Sequence, residues 1–321
     1  MRYFLAFLCV IRCLIASDFD YIVVGTSPFS LLEALYKHNL GYKVLILEQS
    51  EEIGGAWKSI EVCGVPNADL GCHTIGSNLE IMHFLRDYAG CQIVSMDDPC
   101  SLLPEKPGSN GYYFSKGCYE LIYNLIKMIE GTNIVCLLGH KIEKIFFDEE
   151  QNRARVKAKD KEFTTDKIIL TSHSQIQLDG AKSAKTSKRS KFYHLYLLIQ
   201  DPTSPRFSYK TGVIPETKRV MNLSRFVDLA HTGRQLIVIE TVSEKQLGLG
   251  EVFLGNLKEK MLLDKSAYLL KSESYVYESC SLNRSLIKDS KAEGIFEILQ
   301  TSNLQSLTNY IERWKAVLKP Y

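Results

Sequence analysis

"YIVVGTSPFSLLEALYKHNLGYKVLILEQ", residues 21–49, decides the fold. With Asp20 before it, "DYIVV" is a continuous apolar run led by an acid, the pattern of a parallel strand buried on both faces. Gly25 ends that run. After "GTSPFS", Leu31, Leu32, Ala34 and Leu35 recur at helical spacing, Gly41 marks the stop, and "KVLILE" is a second buried strand. The order predicts a β-α-β unit of about 30 residues, the size of a dinucleotide-binding motif.

In the G-x-G-x-x-G pattern the first glycine allows the tight turn, the second admits the pyrophosphate, and the third lets helix and strand touch. Those places hold Gly25, Ser27 and Ser30, with Thr26 between the first two. Pro28 suits a first helical turn, where its missing N–H is no loss. The helix start can still face a phosphate, with the Ser27 hydroxyl as an extra donor. Glu48, followed by Gln49, stands near the spacing expected of the acid that holds ribose hydroxyls, and an acid there disfavours a 2′-phosphate. The unit suits NAD, FAD or another ADP-like moiety; an α/β unit without a ligand is the alternative.

Next comes "QSEEIGGAWKSIEVCGVPNADLGCHTIG", residues 49–76. Here the chain resembles the flavin-dependent amine oxidase superfamily, with its protoporphyrinogen oxidase and prenylcysteine oxidase relatives. Gly54, Gly55 and Ser59 match that family's Gly-Gly segment, and Asp69 with Gly71 matches a later acid-x-Gly segment. Adjacent glycines let backbone pass close to a cofactor, and Ala56 and Trp57 continue the turn. Where the family often carries arginines around the pair, this chain has Glu52 and Ala56. A third block, residues 110–172, resembles the same superfamily: Lys116 and Gly117 match a Pro-x-Gly-Gly segment, while Ser115 and Cys118 replace its proline and last glycine. Ile142 and Ile145 stand where the resemblance brings backbone towards adenine. The charged run 148–153 reads as an exposed hairpin tip, and "DKIILTS", 166–172, as the strand returning to the nucleotide domain.

The resemblance implies an α/β fold: a Rossmann-like FAD/NAD(P)-binding domain with an inserted α+β antiparallel-sheet substrate domain. The expected divisions are 18–76 and 112–176 for the nucleotide domain, 77–111 for a helical insertion, 177–285 for the substrate domain and 286–321 for the return. Family members close with a Gly-Asp pair at the turn before the last helix. In "GIFEILQTSNLQSLTNYIERWKAVL" that turn is "QTSN", leaving Thr301, Ser302 and Asn303 as polar caps. The implied cofactor is FAD, held through Gly25, Thr26, Ser27, Pro28, Ser30, Glu48, Gln49, Gly54, Gly55, Ala56, Trp57, Ile142, Thr301 and Ser302.

"MRYFLAFLCVIRCLIAS", residues 1–17, has the layout of a secretory signal peptide, too short to span a bilayer comfortably. Export is the expected localisation, and peripheral membrane association through the N-terminus is the alternative. The 39 basic and 37 acidic residues leave a net charge of +2, which points to no nucleic acid. Nine cysteines, two of them in the leader, form neither a zinc pattern nor a disulfide-dense scaffold. Pairing of Cys63 with Cys72 or Cys91 with Cys100 is open, as are free buried thiols. Asn222 and Asn283 lie in glycosylation-type sequons.

In the second half, residues 180–191 carry Lys182, Lys185, Lys188, Arg189 and Lys191 and read as a solvated linker. "FYHLYLLIQD", "RQLIVIET" and "SYVYESC" read as strands, and "KEKMLLDKSAYLLK", 258–271, as a helix. His194 and His231 have no partner pattern. Three functions compete. The first is a flavin oxidoreductase taking a hydride from an amine-like or prenylated small-molecule substrate, with no specific protein partner. The second is a non-enzymatic binding protein, since the Rab GDP-dissociation inhibitors and escort proteins resemble the same superfamily. The third, an NAD-dependent dehydrogenase, leaves the later blocks without a role.

Overall fold

A computed structural model describes residues 17–96, 111–171, 189–203, 207–227, 229, 232–280, 282, 293–299, 301 and 304–320. The first strand, β1 (Ser17–Val24), starts earlier than its apolar run, because Ser17, Asp18 and Phe19 also pair, with Phe163, Thr164 and Thr165. The rest of the expected leader, 1–16, lies outside the described residues. Then come α1 (Pro28–Asn39), β2 (Val44–Leu47), β3 (Ser59–Val62), β4 (Val65–Asp69), α2 (Leu79–Ala89), β5 (Ile93–Ser95), β6 (Tyr112–Phe114) and α3 (Cys118–Glu130). Next are β7 (Val135–Leu137), β8 (Ile142–Asp148), β9 (Arg153–Ala158), β10 (Lys161–Thr171), β11 (Arg189–Gln200), β12 (Tyr209–Thr211), β13 (Thr217–Asn222) and β14 (Arg234–Thr241). Last come α4 (Gly250–Glu259), β15 (Tyr268–Cys280), β16 (Phe296–Leu299) and α5 (Ile311–Lys315).

The described residues divide into two compact units, one drawn from 1–53, 129–188 and 280–300, the other from 54–128, 189–279 and 301–321. In the first, the sheet runs β7-β2-β1-β10-β9-β8. Strand β10 is long enough to change partners on one edge. Its first half pairs antiparallel with β9, and its second half pairs parallel with β16. Parallel strands β7, β2, β1, β10 and β16 therefore form the Rossmann-like layer, while β8 and β9 extend it as a hairpin whose tip carries residues 149–152. Ile22, Leu45, Leu47, Val156, Ile168 and Leu170 fill its core. On α1, Lys37 binds Glu297 of β16 at 2.9 Å and lies 4.2 Å from the Tyr21 ring centroid, tying helix, first strand and last strand together.

In the second unit a five-stranded sheet runs β12-β13-β14-β11-β15. One face, with Leu195, Leu197, Ile199, Val220, Ile237 and Ile239, packs on Phe253, Leu254 and Leu257 of α4. The opposite face carries His194, Tyr196, Val238 and Glu240, as strand alternation requires. Trp314 of α5 is fully buried, 5.8 Å from Phe84 of α2 and 5.4 Å from Tyr310 between ring centroids.

The structure corrects one expectation and bears on two points that the sequence left open. "KEKMLLDKSAYLLK" is not a helix: α4 ends at Glu259, Met261 takes a positive φ of 55°, and "YLLK" opens β15. Asp264 instead caps a turn, its Oδ1 accepting from the backbone N and hydroxyl of Ser266. Cys63, Cys72 and Cys91 are free and buried, so no Cys63–Cys72 bridge forms; Cys100 lies outside the described residues. Asn222 is fully buried, its amide donating to Gln235 and its oxygen accepting from Ser224, which closes the first sequon inside the fold. Asn283 and His231 lie outside the described residues, as does most of the basic linker. Among the described residues no helix is long and apolar enough to cross a membrane.

Candidate functional site

In open α/β sheets ligands bind beyond the carboxyl ends of the strands. In the first unit three neighbouring strands end on candidate residues: β1 on Gly25 and Thr26, β2 on Glu48, and β7 on the turn that leads to His140. Gly25 has φ +90°, donates to the Leu47 carbonyl at 2.8 Å, and turns the chain into α1. Thr26 and Pro28 are buried, and Pro28 takes the first helical position.

The two altered glycine places meet each other. Ser27 caps α1, its hydroxyl accepting from the Ser30 backbone N at 3.3 Å, and the two hydroxyls lie 3.0 Å apart. That engages one of the helix-start N–H groups a phosphate would otherwise use. Ser30 is fully buried between helix and strand, where the motif's third glycine permits close contact.

Glu48 is buried and holds the turn from below. Its Oε2 accepts from the Thr26 backbone N at 2.9 Å and from the Thr26 hydroxyl at 2.7 Å, while Oε1 accepts from the Ser50 backbone N at 2.9 Å. A carboxylate has about four acceptor positions, so Oε1, with one bond, keeps an open one. Gln49 is exposed. Ile142 opens β8 paired with Ala158, and its side chain is buried in the core. The first unit thus brings Gly25, Thr26, Ser27, Pro28, Ser30 and Glu48 together.

Gly54, Gly55, Ala56 and Trp57 belong to the second unit. Gly54 has φ +113°, and a Cβ there would stand 3.1 Å from the Lys58 backbone N. Trp57 stacks on His73 at 4.4 Å, and His73 Nε2 lies 3.1 Å from the Ala56 carbonyl and 3.0 Å from the Leu70 carbonyl. Burial pushes the His73 pKa down to about 4, helped by the Arg219 charge.

The two family-like segments Asp69-x-Gly71 and Lys116-Gly117-Cys118 meet at one carboxyl group. Asp69 accepts from the Cys118 backbone N at 2.8 Å and bonds to the Tyr113 hydroxyl. A Cβ on Gly117 would lie 2.9 Å from Asp69 Oδ1, so the approach needs glycine. Burial raises the Asp69 pKa to about 7. Tyr196 spans the bend above it, donating to the Asp69 carbonyl at 2.8 Å and accepting from the Gly71 backbone N at 2.9 Å.

Next to Gly71 lies a polar row that sequence reading missed. Strand register places Arg219 of β13 opposite Glu240 of β14, and Glu240 opposite His194 of β11. Arg219 Nε binds the buried Glu240 at 2.6 Å. His194 is buried, its Nδ1 has no hydrogen-bond partner among the described residues, and burial lowers its pKa to about 4. His194 alone was visible in the sequence; the register that gives it Glu240 and Arg219 was not. Thr301 is buried in the second unit, and Ser302 lies outside the described residues. Among the described residues no group of His, Cys, Asp and Glu could hold a metal ion.

Residues 23–88 match the family described as the NAD(P)-binding Rossmann-like domain. Among solved structures, the chain is similar to putrescine oxidase bound to putrescine, with TM-score 0.63 and 12% identity over 94% of this chain and 99% of that one. It is also similar to an oxidoreductase from Methanosarcina mazei, with TM-score 0.58 and 16% identity over 79% and 87%. A protein from Exiguobacterium assigned as a protoporphyrinogen oxidase gives TM-score 0.54 and 9% identity over 95% and 99%. No curated protein sequence matches the chain. At these identities the likeness establishes the fold: a Rossmann-like domain joined to an antiparallel-sheet domain, as in these oxidases.

Proposed function

We propose that this chain, built on the fold of the flavin amine oxidases, is an FAD-dependent oxidoreductase acting on a small amine-like or prenylated molecule. The observation that carries the reading is Glu48. It is a buried acid at the end of β2, it keeps an acceptor position on Oε1, and it sits beside the Gly25 turn and the start of α1. These residues fit the ADP half of FAD: helix-start N–H groups for the pyrophosphate and Glu48 for the ribose. The likeness to oxidase chains also extends well past the nucleotide-binding unit, which favours FAD over NAD. Bound flavin would supply the two-electron acceptor, while the protein binds, orients and shields it.

One observation favours a second reading, a binding protein on a flavoprotein fold. The Ser27 hydroxyl already occupies the Ser30 N–H, and the chain lacks a Gly-Asp pair at its closing turn. The visible absorption spectrum of the purified protein, taken before and after adding FAD and removing the excess, tests both. Retained flavin absorbance is the expected result; a colourless protein that takes up no FAD makes the binding protein the better reading.

A further inference from the structure

We infer that His140 reads the base of the bound nucleotide, accepting a hydrogen bond from the exocyclic amino group of adenine. The inference rests on the ADP-binding reading above and assigns that site a specificity residue. It starts from strand order. In the first unit β1, β2 and β7 lie side by side, and their carboxyl ends present in turn Gly25 with the start of α1, the Glu48 carboxylate, and the 138–141 turn. An ADP moiety has the same sequence: phosphates, ribose, base. With phosphates at α1 and ribose at Glu48, the base falls on the third strand's side.

The 138–141 turn is built onto the end of β2. Glu48 N donates to the Leu137 carbonyl at 3.0 Å, His140 N to the Glu48 carbonyl at 2.8 Å, and Gly139 N to the Ser50 carbonyl at 2.9 Å. Gly139 has φ +65°, a backbone conformation that favours glycine, and it lies beside the Glu51 carboxylate. His140 is therefore fixed by its backbone one strand beyond the ribose acid.

Its imidazole is tied on one side only. Nδ1 lies 2.6 Å from the Leu138 carbonyl, and a carbonyl only accepts, so Nδ1 carries the proton and Nε2 is a bare acceptor. Nε2 is shut off from solvent and has no donor among the described residues. A buried acceptor without a donor is an uncompensated cost that a ligand can recover. The ring as a whole is half-buried, so a ligand that displaces the cover of Nε2 can supply the missing donor. Adenine presents an amino group at its position 6, where hypoxanthine presents a carbonyl. The first satisfies Nε2; the second sets acceptor against acceptor.

The test is calorimetric binding of ADP and of IDP to the wild type, His140→Phe and Glu48→Gln. The wild type should prefer ADP over IDP about tenfold. His140→Phe should lose that preference by weakening ADP alone, and Glu48→Gln should weaken both nucleotides alike. An unchanged ADP/IDP ratio in His140→Phe overturns the inference and leaves the nucleotide reading intact. A wild type that binds neither ADP nor FAD overturns both. Should His140→Phe fail to fold, imidazole 15N NMR of the wild type reads the same contact: the Nε2 signal must move with ADP and stay with IDP, and a signal indifferent to ADP overturns the inference.

Discussion

The imidazole of His194 fills the space that a side chain at Gly71 would need: a Cβ there would lie 2.7 Å from His194 Nε2. Gly71 also has φ +103°, a conformation that L-residues rarely adopt. Glycine is therefore required twice over, by backbone conformation and by a ring packed on its α-carbon.

Gly71→Ala should destabilise the protein by about 1–3 kcal/mol from backbone strain alone, with the clash adding to it. Denaturant midpoints read the loss. Removing the ring with His194→Ala should relieve the clash but not the strain, so the double variant should lose less than the sum of the single ones. Strict additivity would show that His194 does not govern the position.

Asp69 and His194 pull stability in opposite directions with pH. Asp69 has a folded pKa near 7 against an ordinary carboxylate value, so the folded state binds the extra proton, and this contribution is lost as pH rises from about 4 to 7. His194 has a folded pKa near 4, so its contribution is present above about 6.5 and is lost as pH falls towards 4. Asp69→Asn keeps an acceptor for Cys118 N and a partner for Tyr113. It should make stability climb more steeply between about pH 4 and 7, whereas His194→Gln should flatten the climb. Melting temperatures across that range decide the matter, and parallel curves for wild type and Asp69→Asn would refute the assignment.

Ser27→Gly should tighten nucleotide binding at little structural expense. Replacing an N-cap serine by glycine costs only a few tenths of a kcal/mol, and the change frees the Ser30 N–H that the Ser27 hydroxyl now engages. ADP affinity by calorimetry should rise several-fold; a fall would mean that the hydroxyl itself serves the phosphate.

Asn222→Ala should cost about 1–3 kcal/mol, because it leaves Gln235 and Ser224 without their buried partner. By the same geometry the folded protein should carry no glycan on Asn222, as intact-mass measurement of protein made in a glycosylating host would show.

The β-α-β unit was legible because its signals are local: an apolar run, a glycine, helical spacing, and a second run ending on an acid. The hairpin tip and β10 were legible for the same reason. The end of α4 was not, since Leu262, Leu263 and Ala267 keep a helical spacing although Asp264 and Ser266 form a turn. The polar row of Arg219, Glu240 and His194 was illegible for a different reason. It exists only through the register of three strands far apart in sequence, and nothing near His194 announces Glu240. At the carboxyl ends of β1 and β2, the sequence singled out Glu48 but not that Thr26 and Ser50 would be bonded to it.

The partner change along β10 bears on how the chain matures during synthesis. Strand β1 finds one neighbour, β2, almost at once, but its other neighbour is β10, and β10 in turn waits for β16. Pairings so distant in sequence form slowly and leave strand edges open in the meantime. Until residue 299 has left the ribosome, the parallel layer has a missing edge and Lys37 has no Glu297, so the nascent Rossmann-like half depends for hundreds of residues on whatever shields its edge from other chains.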